Sequence, residues 1–177
     1  MTGEELARLL TGPFLAACAL LAIAGTTKVM RPETARDAAR ALRLPGTAAA
    51  VRALGTLELL LAVGGVLIGR GAALAVAGCY ALLAVTALML WRRAPGTPCG
   101  CLGTTTTPAT GAHVVLNVCA SGVAAVSATG ASPLSVIADQ PLLGTPLLVL
   151  TACATWLAAL VMDALPALRA VVREGSS

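Results

Sequence analysis

The sequence predicts an all-α membrane protein: a polytopic helix bundle of about five transmembrane helices, with a short interfacial helix between the first two. Of its 177 residues, 58% are hydrophobic and only 11% are charged, whereas about a quarter of the residues are charged in an average soluble domain. The charges are spaced so that uncharged stretches of about 20 residues remain, which is the length of helix that crosses a bilayer. This composition excludes a disordered chain and a small disulfide-stapled secreted module.

We expect the whole chain, residues 1–177, to form a single membrane domain. Its predicted spans cover about residues 9–29, 47–69, 71–91, 111–131 and 142–163. Between Arg31 and Pro45, charged and apolar residues separate onto two faces at helical spacing. This pattern predicts the interfacial helix, with a solvated connector as the alternative. Small residues in the second, third and fourth spans indicate close helix packing in lipid. They are Gly65, Gly69, Gly71, Ala75, Gly78, Ala120, Ala124 and Ala128.

The basic residues predict the orientation of the bundle in a bacterial-type plasma membrane. With five spans, the N-terminus and the second and fourth loops share one side, which carries only Arg8 and Arg70 of the 12 basic residues. Basic loops stay on the cytoplasmic side, so the third loop and the C-terminus are expected to face the cytoplasm. The lipid bilayer is therefore a predicted partner. Nucleic acid is excluded, because the positive charges form no patch interleaved with aromatic residues.

The third loop, residues 92–110, contains the sequence Cys99-Gly100-Cys101. Two thiols separated by one glycine are close enough to form a disulfide, and its small ring is strained and easily reduced. Thr107 is the predicted N-cap of the next helix, whose N-terminus would stabilise a thiolate. A loop is also where a partner can reach both sulfurs. Cys99 and Cys101 are therefore the predicted catalytic residues of a thiol-disulfide exchange.

Two other roles fit the cysteine pair. A copper or zinc site would use both thiolates with His113 as a third ligand, although the sequence offers no evident fourth ligand. An inert or permanently bridged pair would be purely structural. The sequence contains no second histidine, and we find no carboxylate pair, nucleotide-binding loop or Ser-His arrangement. We therefore expect no cofactor, and we exclude a hydrolase, an ATPase and a bis-histidine cytochrome.

Four polar residues in or at the ends of the predicted spans are candidates for a functional role. Glu58 is at the middle of the second span, where a carboxyl group is expected to be protonated, hydrogen-bonded or facing a polar cavity. Lys28 ends the first span and is expected to reach the headgroup interface, because Glu58 lies about 16 Å deeper at the helical rise. His113 and Asn117 share a face of the fourth helix. We expect the dithiol, His113, Asn117 and Glu58 to form a polar ladder that relays a proton; separate interhelical hydrogen bonds are the alternative.

The remaining cysteines lie inside apolar spans, where thiols behave as small hydrophobic residues. We therefore expect them to be buried packing residues. They are Cys18, Cys79, Cys119 and Cys153.

Three motifs together resemble the MauE family, a DoxX-like, redox-associated group of membrane proteins named for methylamine utilisation. They are Gly25-Thr26-Thr27-Lys28, then Leu54-Gly55-Thr56-Leu57-Glu58-Leu59-Leu60, and Cys99-Gly100-Cys101-Leu102-Gly103 ahead of a helix with Asn117. The resemblance covers about the first 130 residues. Two positions depart from the family pattern: Leu102 stands where Phe is common, and Leu116 stands where Arg commonly precedes the asparagine.

The resemblance implies an accessory role in the maturation of an exported redox enzyme, beside a thioredoxin-like partner. The methylamine substrate itself does not transfer, because the family extends beyond methylamine metabolism. Work on an exported enzyme would place the dithiol on the outer face, whereas the charge distribution places it inside. A non-catalytic membrane anchor or assembly subunit, and a carrier of a metal or small molecule, are the alternative functions.

Overall fold

The computed structural model describes residues 2–100, 107–139, 146 and 148–160. Its helices are α1 (Gly3–Leu9), α2 (Thr11–Met30), α3 (Glu33–Ala41), α4 (Ala48–Leu67), α5 (Arg70–Arg93), α6 (Gly111–Ser127) and α7 (Pro133–Asp139), followed by α8 (Leu148–Leu160). Helices α2, α4 and α5 are long and apolar enough to cross a membrane, and α6 and α8 are shorter apolar helices. The predicted all-α membrane helix bundle is therefore confirmed.

The bundle is built from two closely packed helix pairs, α2 with α4 and α5 with α6. Its core lies where α2, α5 and α6 meet, around Phe14, Val76 and Ala124. Two hydrogen bonds join the helices within this region: the Tyr80 hydroxyl donates to the carbonyl of Ala17 over 2.6 Å, and the Ser121 hydroxyl donates to that of Ala77 over 2.9 Å. Packing and interhelical hydrogen bonds of this kind hold helices together in lipid, where little hydrophobic driving force remains between them.

The connections between helices gather at two opposite ends of the bundle. At one end, α3 packs against the loop between α5 and α6, where a Cβ on Gly100 would lie 2.9 Å from the Cα of Ala35. At the other end, the Thr129 hydroxyl donates to the carbonyl of Gly3 over 3.1 Å, and Arg70 donates to the carbonyl of Thr129 over 3.4 Å. The first and third connections therefore share one end, and the N-terminus shares the other end with the second and fourth.

Helix α3 lies within the segment predicted to form an interfacial helix. Ala38 is buried against the bundle, while Asp37 and Arg40 pair on the exposed side over 3.3 Å. Arg36 donates to the carbonyl of Gly46 over 3.1 Å and ties the end of the segment back onto the helix. The segment is therefore an amphipathic helix packed on the bundle, and the solvated connector is excluded.

The small residues of the predicted packing faces divide into two groups. A Cβ on Gly65 would lie 3.0 Å from the sulfur of Cys18, and Ala124 and Ala128 are buried. Gly71 and Gly78, by contrast, have open space around the position of a Cβ. The expectation of close packing is wrong for these two and for the exposed Ala75, because α5 buries a different face. That face is formed by Ala73, Val76, Ala77, Tyr80, Ala84, Ala87 and Leu90.

The cysteines of the spans also differ in their surroundings. Cys18 is buried as expected and Cys79 is half-buried, but Cys119 and Cys153 are exposed. The packing role expected of these last two is therefore wrong. On α6 the reason is angular: Cys119 lies two residues from the buried Asn117, and residues two apart on a helix point in different directions.

Candidate functional site

Two glycines bring α2 and α4 into direct backbone contact. A Cβ on Gly25 would lie 2.6 Å from the carbonyl oxygen of Gly55, and a Cβ on Gly55 would lie 2.6 Å from that of Gly25. No side chain fits at either position, so glycine is required on both helices. This contact fixes the register of the antiparallel pair.

The same contact assembles a buried ion pair from Lys28 and Glu58. The Lys28 Nζ atom lies 2.7 Å from Oε2 and 2.9 Å from Oε1 of Glu58, and the two side chains are only 4% and 0% exposed. Each residue lies three positions after its glycine, which is about 4.5 Å along its helix. Because the helices are antiparallel, the two displacements point in opposite directions and separate the Cα atoms of Lys28 and Glu58 by about 9 Å along the bundle axis. Helical side chains lean toward their own N-terminus, so in an antiparallel pair these two lean toward each other.

The prediction that Lys28 reaches the headgroup interface is therefore wrong. That prediction assumed that Lys28 lies level with the start of the second span, about 16 Å from Glu58. The contact between the two glycines instead places Lys28 deeper in the bundle than the start of that span. Of the states expected for Glu58, the structure shows the hydrogen-bonded one, with Lys28 as the donor. The signal for the pair is present in the sequence: glycine precedes the lysine and the glutamate by the same three positions.

The Cys99-Gly100 turn is held by backbone contacts. The amide of Cys99 donates to the carbonyl of Thr107 over 3.3 Å, and the amide of Ala109 donates to that of Thr97 over 3.1 Å. These bonds form an antiparallel bridge that closes the loop. Gly100 has a φ of +65° and lies against the first turn of α3, so both its conformation and its contact require glycine. Cys101 lies outside the described residues.

The side chain of Cys99 is buried, with 6% of its surface exposed. It belongs to a small apolar cluster with Ala38 of α3, Leu90 of α5 and Ala109 of the loop. The expectation that a partner can reach both sulfurs in the loop is therefore wrong for Cys99, because α3 packs over the turn.

Helix α6 begins three residues later than the sequence predicts, with Thr110 instead of Thr107 at its N-cap. The reason is the bridge, which keeps the chain extended on either side of Pro108. The Nδ1 atom of His113 accepts the backbone N–H of Thr110 over 3.3 Å and lies 3.0 Å from its hydroxyl oxygen. His113 thus takes the place that glutamate or glutamine has in a capping box.

His113 and Asn117 share one buried face of α6, as predicted from their spacing. The Asn117 side-chain amide donates to the carbonyl of His113 over 2.8 Å. The polar ladder from the dithiol through these residues to Glu58 stays a prediction. So does the metal alternative: among the described residues, no three histidine, cysteine or acidic side chains form a metal-binding group, and the alternative requires Cys101.

A cavity of about 380 Å³ lies between the cysteine turn and Lys28 of the ion pair. Cys99 and Gly100 line one part of its wall and Lys28 another. Between them, α3, the segment after it, α4 and α5 supply mostly apolar side chains. These include Ala38, Leu42, Val51, Leu54 and Leu83.

The family profile described as methylamine utilisation protein MauE matches residues 6–130 of the chain. The chain belongs to the MauE family. The matched range contains both glycines of the α2–α4 contact, the ion pair and the cysteine turn, and the resemblance drawn from these motifs is confirmed. As a MauE protein, the chain is a membrane accessory protein associated with methylamine utilisation. No curated protein and no solved structure matches it significantly.

Proposed function

We propose that this protein exchanges thiols and disulfides with a partner redox enzyme during maturation of that enzyme, at a bacterial plasma membrane. The observation that carries the proposal is the placement of Cys99. Its sulfur is buried beneath α3 while its backbone is fixed by the Pro98–Pro108 bridge, and a second thiol follows two residues later. A fixed, covered thiol beside a second one suits the two roles of an exchange reaction.

In this reaction Cys101 attacks and Cys99 resolves. The Cys101 thiolate displaces one sulfur of a disulfide on the partner and forms a mixed disulfide. The Cys99 thiolate then attacks the Cys101 sulfur, so that the Cys99–Cys101 disulfide forms and the partner leaves as a dithiol. The two protons of the cysteine pair end on the two partner thiols. Cys99 is assigned the second step because α3 blocks access by a folded protein.

The N-terminal end of α3 favours the ionised, thiolate form of the cysteine pair. Gly100 packs against Ala35, the third residue of α3, so the positive end of a nine-residue helix adjoins the cysteine pair. The partial charge at a helix N-terminus favours a thiolate over a thiol. The helix expected for this role from the sequence was the one after the loop, α6. We infer that His113, Asn117 and Glu58 hold a proton released by the cysteine pair until it passes to a partner thiol.

The partners that fit this reaction are a thioredoxin-like protein and an exported redox enzyme. Either would present a disulfide on an exposed surface for the attack by Cys101. The family name favours an enzyme of methylamine utilisation. The bilayer is the other partner.

Trapping of the mixed disulfide tests the reaction. In cells, a Cys99→Ser variant cannot resolve the intermediate, so we expect a covalent complex that reductant dissolves. A Cys101→Ser variant should form no such complex. Cys119→Ser is the matched control, since Cys119 faces outward on α6, and it should behave as the unaltered protein.

Absence of the complex in Cys99→Ser would contradict the proposal. If the Cys99→Ser/Cys101→Ser variant also supports full maturation of the partner, the protein is a membrane anchor or assembly subunit. Copper or zinc that co-purifies with the protein and is lost in Cys101→Ser would favour the carrier function.

A further inference from the structure

We propose that the cavity between the cysteine turn and Lys28 binds the ring of a lipid-soluble quinone, which oxidises the Cys99–Cys101 dithiol. The inference rests on the proposed exchange reaction, which is reversible: a quinone accepts the two electrons of the dithiol, and the Cys99–Cys101 disulfide so formed oxidises a partner dithiol. A volume of about 380 Å³ falls within the range of about 300 to 1,000 Å³ that is usual for small-molecule sites.

The walls of the cavity exclude strongly polar ligands. Alanine, leucine, valine and proline side chains from α3, α4 and the segment between them form most of its surface, and Lys28 is its one charged lining residue among the described residues. A sugar or a nucleotide would leave several polar groups without hydrogen-bond partners against such walls, which disfavours its binding. The ligand is therefore largely apolar.

The mouth of the cavity lies on an apolar outer surface of the bundle. Leu54 on α4 lines the cavity and is 41% exposed, and Leu44 lines it and is 54% exposed. Helix α4 continues this exposed apolar surface beyond the cavity with Leu57 and Leu60. In a membrane-spanning bundle such a surface faces lipid, so a ligand enters the cavity from the bilayer and not from water.

The Cys99 thiol at the cavity wall indicates that the lipid-soluble ligand is a two-electron acceptor. Cys99 lines the cavity while α3 covers its sulfur from a protein partner, so the oxidant that reaches it here is small. A quinone satisfies each condition. In the reaction two S–H bonds break, one S–S bond forms between Cys99 and Cys101, and two electrons and two protons convert the quinone to the quinol.

Lys28 assists the reduction electrostatically. It is the member of the ion pair that lines the cavity, and a positive charge near the bound ring favours the negative charge that develops on a quinone oxygen as electrons arrive. The ion pair with Glu58 holds the Lys28 ammonium in place over 2.7 Å. The site therefore couples two family motifs, the cysteine turn and the lysine motif, through one bound molecule.

The test uses the full-length protein, reduced and placed in lipid nanodiscs, with decyl-ubiquinone as the probe. We expect one quinol to form per protein as two thiols disappear. Leu54→Trp fills the mouth of the cavity and should slow quinol formation by about tenfold or more. Leu60→Trp, on the lipid-facing surface outside the cavity, is the matched control and should react as the unaltered protein. Thermal unfolding of both variants checks that they fold.

Oxidised glutathione, whose disulfide reaches the cysteine pair from water and is attacked by the thiolate, separates the two proposals. If it oxidises the dithiol but decyl-ubiquinone does not, the quinone inference is overturned and the exchange reaction stands. If neither oxidises the dithiol, both fail. Equal rates in Leu54→Trp and Leu60→Trp would overturn the assigned site. A phospholipid retained by the unaltered protein, lost in Leu54→Trp and not displaced by the quinone would show that a lipid chain occupies the cavity, which also overturns the inference.

Discussion

Burying the charge of Lys28 or of Glu58 inside a bilayer is unfavourable when the other is absent, and the ion pair between them offsets this cost. The pair is buried on all sides, so either charge would be left uncompensated if its partner were removed. Removing one member of a buried ion pair costs about 3–5 kcal/mol, whereas replacing both with apolar residues is often neutral. Lys28 therefore belongs to the interior of the bundle, and the pair specifies how α2 and α4 align.

Substitutions of this pair test its burial. Glu58→Gln and Lys28→Met should each destabilise the protein by about 3–5 kcal/mol, and the Lys28→Met/Glu58→Leu variant should recover most of that loss. Asp37→Asn, which breaks the exposed pair with Arg40, should cost less than about 1 kcal/mol. Unfolding in detergent measures each value. Single substitutions as mild as Asp37→Asn would show that the Lys28–Glu58 pair is solvated.

The contact of Gly100 with α3 can be tested by a single substitution. A Cβ at this position meets Ala35 at 2.9 Å, so Gly100→Ala should lift the turn from α3 and speed maleimide labelling of Cys99 in a Cys101→Ser background. Gly96 is the matched control: its φ of +88° is also left-handed, but it has open space around it. Gly96→Ala should strain the backbone without exposing Cys99. Equal labelling of both variants would argue against the packing of α3 on the turn.

The α2–α4 pair shows how one close contact organises an element pair. Gly55→Ala would place a methyl group 2.6 Å from the Gly25 carbonyl oxygen and force the helices apart. Such overpacking costs about 1–3 kcal/mol, so the variant should unfold at a lower temperature. Gly78→Ala meets nothing within 4 Å and should be neutral or slightly stabilising. If the two variants unfold alike, α2 and α4 do not touch at the glycines.

Element boundaries could be predicted only where they depend on local sequence. The hydrophobic stretches between charges predicted α2, α4 and α5, because spanning length and hydropathy are properties of one segment. The start of α6 could not be predicted in the same way. Thr107 and Thr110 are both suitable caps, and the bridge between Pro98 and Pro108 selects the second one.

The candidate site depends on contacts between segments that are distant in sequence. The spacing of His113 and Asn117 predicted their shared face, since both lie on one helix. Hydropathy contains no information on the register of two helices, so the Lys28–Glu58 contact was missed. The burial of Cys99 was missed for the same reason, because α3 lies more than fifty residues away in the chain.

At the scale of the whole molecule, the two ends of the bundle make the membrane topology testable. The first and third connections share an end, and the basic residues predict that this end faces the cytoplasm. An impermeant maleimide should therefore label Cys101, as the only cysteine retained, after permeabilisation but not in intact cells. Labelling in intact cells would place the dithiol on the outer face, as an exported partner requires.

The most direct test of the proposed exchange is the oxidation state of the cysteine pair in living cells. Acid quenching followed by alkylation with a mass-tagged maleimide counts the free thiols of a variant that retains only Cys99 and Cys101. The account predicts that two thiols appear together when reductant is added and disappear together when it is removed. A pair that gives the same count under oxidising and reducing conditions would contradict it.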